Sequence, residues 1–177
     1  MEIKKLIIIS LLVLIILSLG CNRDESESYK LAKGGEKINI DFEKEIIYER
    51  MKLTIYYFPI GANTNAPLTN ELIKKGCEYK ITISSYILRD YLNELQEIQK
   101  VAFQKPVDYD YINIRVCCDF HRNDKTVFSF SLSEDKYMLV NNFLIVKNNR
   151  IFYDFIIPFL PQMVADEYKE DLKKIEF

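Results

Sequence analysis

Tryptophan is absent from this chain of 177 residues, histidine occurs once, and glycine only five times. The single histidine excludes every mechanism that needs two imidazoles. Phosphate cradles and nucleophile elbows are missing too. The sequence holds no P-loop, GxGxxG, GxSxG or HExxH pattern, so nucleotide, serine-hydrolase and metalloprotease chemistry has no carrier, and no cofactor or metal set is expected. A basic excess is also lacking. The 24 basic side chains face 26 acidic ones, for a net charge of -2, which disfavours a nucleic-acid partner. Hydrophobic residues make up 49% and charged residues 28%, so the composition is that of a folded chain, with length for one domain and a leader.

The leader is the most informative segment present. Lys4 and Lys5 precede an apolar run from Leu6 to Leu17, broken only by Ser10 and followed by Ser18-Leu19-Gly20-Cys21. That is the charged, apolar and small-residue succession of a secretory signal. As a helix, Leu6 to Leu19 would span roughly 21 Å against a hydrocarbon core of about 30 Å, which is short for a permanent span. Gly20-Cys21 resembles the end of a bacterial lipoprotein signal, whose cysteine is lipidated. The resemblance covers residues 1–21 and implies lipid attachment at Cys21, a membrane partner through that anchor, and a place in the cell envelope. Ser18 and Leu19 depart from the usual order of small and branched residues before the cysteine. Ser18-x-Gly20 also fits ordinary secretory cleavage, which would release a chain beginning at Cys21. Asn22 after the cysteine resembles outer-membrane sorting, and the run Asn22 to Ser28 resembles an acidic surface-export tag, or equally reads as a solvated tether. Residues 1–20 are thus expected as signal, 21–36 as a polar tether, and 37–177 as one domain.

Within that domain the periodicity changes repeatedly. Glu49 to Phe58 reads as a strand. Thr69 caps a short helix through Lys75, ended by Gly76. Tyr79, Ile81 and Ile83 alternate with polar residues as a second strand. Ser84 or Ser85 opens a helix to Lys100, whose stripe is Ile87, Leu88, Tyr91, Leu92, Leu95 and Ile98, with Leu92 and Leu95 at its buried centre. Ile112, Ile114, Val116, Cys118 and Phe120 then share one face of a strand. Asn113, Arg115, Cys117, Asp119 and His121 share the other, expected to be wet. Past Arg122-Asn123-Asp124-Lys125 come Phe128, Phe130 and Leu132, alternating with serines, which completes a hairpin. Tyr137 to Val140 and Phe143 to Val146 form a tighter one through Asn141-Asn142. Asn148 or Asn149 caps a helix bearing Phe152, Phe155, Ile156 and Phe159, to be ended or kinked at Pro158. Asp166 to Lys174 is expected helical, with Tyr168, Leu172 and Ile175 on one side. The fold class is α+β: an antiparallel sheet of four to six strands with one or two helices on one face.

Candidate chemistry is sparse. Cys117, Asp119 and His121 share a strand face, but at about 3.3 Å per residue Cys117 and His121 stand roughly 13 Å apart, beyond dyad reach. Asp108-Tyr109-Asp110 begins like a calcium loop, yet Ile112 takes a ligand position and the turn glycine is missing. Of the cysteines left once Cys21 is lipidated, Cys77 with Cys117 is the geometrically possible disulfide, while Cys118 belongs to the core. The 12 Tyr and 11 Phe suit binding surfaces, and equally a composition rich in Ile, Lys and Asn. In Tyr56-Tyr57 and Tyr109-Tyr111, alternation leaves one or both of each pair at the surface. The reading is a non-enzymatic binding or interaction module of the envelope with a protein partner. The alternative is a small hydrolase using Cys117 or the carboxylates of Asp108, Asp110 and Asp119.

Overall fold

Six segments rich in β-branched and aromatic residues pair into one antiparallel sheet. They are β1 (Met51–Tyr57), β2 (Tyr79–Ser84), β3 (Ile114–Arg122), β4 (Lys125–Ser133), β5 (Tyr137–Val140) and β6 (Leu144–Lys147), in the order β2-β1-β3-β4-β5-β6. The computed structural model describes residues 38, 40–48, 50–60, 62–103, 112–141 and 144–177. The signal, Cys21 and the tether lie outside them, as do Asp108, Tyr109, Asp110 and Tyr111. The α+β class read from the sequence is the one observed, with the sheet at the upper end of the expected strand number.

The hairpins turn where the sequence places them. Asn123 and Asp124 both adopt positive φ, 50° and 61°, between the paired Arg122 and Lys125, which is the backbone of a type I′ turn. Asn141 has φ 50° and opens the second turn.

The helices are α1 (Phe42–Ile47), α2 (Asn70–Gly76), α3 (Ser85–Leu88), α4 (Leu92–Lys100), α5 (Arg150–Ile156) and α6 (Gln162–Leu172). All but α2 pack on one face of the sheet, a larger layer than the one or two helices the sequence indicated. The core between them is aromatic. Phe120 on β3 stands 5.2 Å from Phe42, 5.6 Å from Phe128 and 6.2 Å from Phe130 between ring centroids. Much of the phenylalanine content is thereby spent on packing. Asn149 caps α5 through its side-chain oxygen, which accepts from the Ile151 amide at 3.1 Å. That helix gives way at Ile157–Phe159 to a 3₁₀ turn containing Pro158, as expected. Helix α1 was not anticipated. Asp41 accepts from the Lys44 amide at 3.0 Å, and Phe42 and Ile46, four apart, bury the same side.

The expected continuous helix from Ser85 to Lys100 is corrected. A 3₁₀ turn at Arg89–Tyr91 separates α3 from α4. At 3.0 rather than 3.6 residues per turn it rotates the stripe, so Leu88, Leu95 and Ile98 are buried, Leu92 is only half-buried, and Ile87 is 44% exposed. No helix among the described residues is long and apolar enough to cross a membrane.

Candidate binding face

The sheet's other face is built by the alternate residues of the same strands. From Met51↔Arg122 to Tyr57↔Val116 the β1–β3 register runs unbroken, so Lys52, Thr54 and Tyr56 align with His121, Asp119 and Cys117. On the far side of β1 they align with Ser84, Thr82 and Lys80. Helix α2 lies across the Cys117 end. Thr69 fixes its start by accepting from the Leu72 amide at 3.3 Å. Asn70, Ile73 and Lys74, at helical spacings of three and four, all point down. Ile73 packs with Ile114 and Cys117, the Cys117 thiol donates to Asn70 Oδ1 at 3.1 Å, and Lys74 Nζ meets Asp119 Oδ2 at 2.7 Å.

Beside α2 the face opens. The Tyr56 ring has Lys80 Nζ 5.4 Å from its centroid and Lys74 Nζ 5.8 Å, one ammonium from the edge strand and one from the helix. Partial burial, and next to it the Asp119 charge, raise the Tyr56 hydroxyl above its ordinary range. Thr82, Lys52 and Ser84 are exposed around it, and His121 is half-buried with Nδ1 3.3 Å from Thr126 Oγ1. Such a surface offers ammonium groups, hydroxyls and one aromatic ring to a partner rich in anionic or carbonyl oxygens.

Cys117 is unsuited to nucleophilic work. Burial pushes its thiol up to about 12, against which the Ser131 hydrogen bond and the Lys74 charge act weakly, so the thiolate is scarce at neutral pH. The same strand carries His121 four residues away, with a register irregularity against β4 between Phe120 and His121, and no Cys-His contact forms. Asp119 is committed to Lys74, although its Oδ1 is buried without a hydrogen-bond partner.

Three expectations about this face are corrected. The supposedly wet side of β3 is interior: Arg115 is 2%, Cys117 0% and Asp119 3% exposed, because β3 is central and α2 covers it. Ser129, Ser131 and Ser133 on β4 are buried as well. Second, Ile114 and Ile112 do not share the core face with Val116. Ile114 pairs with Ser133 and Val116 with Leu132, so Arg115 is a bulged residue, and everything before it changes sides. The bulge aims Arg115 at Glu134, to which Nε and Nη2 donate at 3.0 and 2.8 Å, with the Phe58 ring 5.7 Å from the guanidinium carbon. Third, the Cys77 to Cys117 bridge is not formed, and Cys77, Cys117 and Cys118 are free thiols.

Tyr57 is in the core and Tyr56 on the open face, so alternation correctly parts that pair. Lys74, Lys80 and Asn70 went unnoticed in the sequence. The usable signal was the spacing of Asn70 and Lys74 on one helix face, but it names no strand opposite. Among the described residues no group of three or more His, Cys, Asp or Glu could hold a metal. Comparison with family models, curated proteins and solved structures finds no match for this chain.

Proposed function

We propose that this chain is a lipid-anchored, non-enzymatic binding module of the bacterial cell envelope, held at the outer membrane or cell surface through Cys21 and engaging a protein partner through the open sheet face. The observation that carries the binding role is the half-buried Tyr56 ring with the Lys80 ammonium 5.4 Å from its centroid and the Asp119-paired Lys74 ammonium at 5.8 Å. An aromatic ring with fixed cations is an economical recognition surface, because the ring costs little side-chain entropy and the charges choose the partner. An acidic protein segment has the complementary chemistry. Support for the anchor comes from Gly20-Cys21 behind the apolar leader. The hydrolase alternative draws no support from Cys117, whose thiol stays protonated.

The test has two arms in cells. Cys21→Ala is expected to move the chain from the detergent phase to unprocessed precursor or soluble material. Equal membrane retention of a fully processed mutant would overturn the anchor. A photo-crosslinking residue at Thr82 should give a discrete adduct that Lys80→Glu abolishes, while the same probe at Met163 gives none. Identical adducts from both positions, or none from either, would overturn the binding face.

A further inference from the structure

Four of the six large apolar side chains left in solvent among the described residues are gathered at one end of the domain, Leu72 and Met163 lying elsewhere. Ile47 and Tyr48 close α1, Tyr86 and Ile87 belong to α3, and these four are between 44% and 74% exposed. The two segments meet, since Arg89 Nη2 donates to the Ile47 carbonyl at 3.2 Å. Cations border the patch, with the Arg50 guanidinium carbon 5.3 Å from the Tyr48 ring centroid and Lys52 two residues on. Of the nearby acids Glu45 is paired with Arg122 at 2.7 Å, whereas Glu43 accepts only from the neutral Gln96 amide at 3.1 Å and Asp90 follows Arg89 in the chain.

We propose that this end of the domain docks into the headgroup layer of an anionic bilayer, with Ile47 and Ile87 reaching toward the acyl chains and Tyr48 and Tyr86 at the boundary. The inference rests on the lipid-anchored reading above. Tyrosine, aliphatic and arginine side chains together match the layered polarity of that interface, where an aromatic body sits between apolar and wet surroundings. Charge and anchorage argue for the bilayer as occupant, because Arg50 borders the patch and a polar tether of about 15 residues, with an r.m.s. coil span of roughly 20 to 25 Å, would give the domain an effective concentration at the anionic surface on the order of millimolar. The patch follows closely on that tether, since α1 is the first described helix.

The chain has no tryptophan, so one introduced residue is a unique reporter. Tyr86→Trp, Tyr48→Trp and, as control, Met163→Trp are prepared in the full chain and reconstituted into phosphatidylethanolamine and phosphatidylglycerol vesicles carrying brominated acyl chains. Expected is a blue-shifted, quenched emission at positions 86 and 48, and unshifted, unquenched emission at 163. Vesicle flotation without quenching at 86 and 48, or equal quenching at all three positions, would overturn the proposal. So would a blue shift that follows protein concentration and ignores bromine, which would mean contact between copies. The mass of the Cys21 peptide from cells reports lipidation separately, so failure of the anchor and failure of the docked patch are told apart.

Discussion

The two faces of the sheet are both largely buried, by opposite means. One is closed by phenylalanines under helices, its few polar groups including the hydroxyls of Tyr57, Tyr153 and Tyr168, of which that of Tyr57 has no hydrogen-bond partner. The other is closed at one end by a seven-residue helix whose underside meets a thiol, a carboxylate and a branched side chain. Apolar closure is non-directional and tolerant of small shifts, whereas the polar closure depends on named partners and leaves Asp119 Oδ1 unsatisfied. Stability should reside in the first face, and adaptability in the second.

Truncating the centre of the aromatic face should have the largest effect. Phe120→Ala is expected to cost about 3 to 5 kcal/mol in a denaturant melt, and a loss below about 1 would show that the rings are not mutually packed. Leu95→Ala should follow at about 2 to 5 kcal/mol. Leu92→Ala should be clearly milder, because the 3₁₀ turn rotates it off the sheet; equal midpoints would mean the helix runs unbroken. On the polar face an asymmetry is expected. Lys74→Ala strands a buried carboxylate, at about 2 to 3 kcal/mol, while Asp119→Ala frees a lysine that can turn to water, at about 1. The reverse order would remove α2 from the account.

The next prediction concerns pH. Cys117 has its proton held up to about 12 in the fold, against an ordinary 9.0 in the unfolded chain. Its contribution is therefore full below about pH 9 and lost as pH rises toward 12, by about 1.4 kcal/mol per pH unit. Cys118, Tyr57, Tyr153 and Tyr168 are raised by burial in the same direction. Alkaline melts should steepen above pH 9, and less so in Cys117→Ala; an unchanged slope in that variant would place the thiol in water. The smallest effect is expected of His121→Ala, under about 1 kcal/mol at a half-buried position near a hairpin turn.

Periodicity was enough to find the hairpins, a cap at Asn148 or Asn149 and the Tyr56/Tyr57 alternation, because each is decided within a few residues, and the structure assigns the cap to Asn149. It could not place β3, since whether a polar strand face is wet depends on what arrives from elsewhere in the chain. Here that is α2, more than 40 residues earlier than Cys117. The Arg115 bulge was equally hidden, because one extra residue preserves the look of alternation while reversing its sense. Lys80 read as a polar position in an amphipathic strand, and its pairing across Tyr56 with Lys74 exists only once β1 and β2 align.

Adjacent cysteines on one strand face opposite closures, and that makes them timekeepers. Cys117 lies beneath α2, and Cys118 beneath the helical layer. A thiol reagent can reach the first as soon as one short helix lifts, and the second only when the main core parts. Under native conditions their labelling rates report two opening free energies, local and global, from neighbouring positions. Cys77, partly buried just past the end of α2, supplies the faster rate against which both are compared.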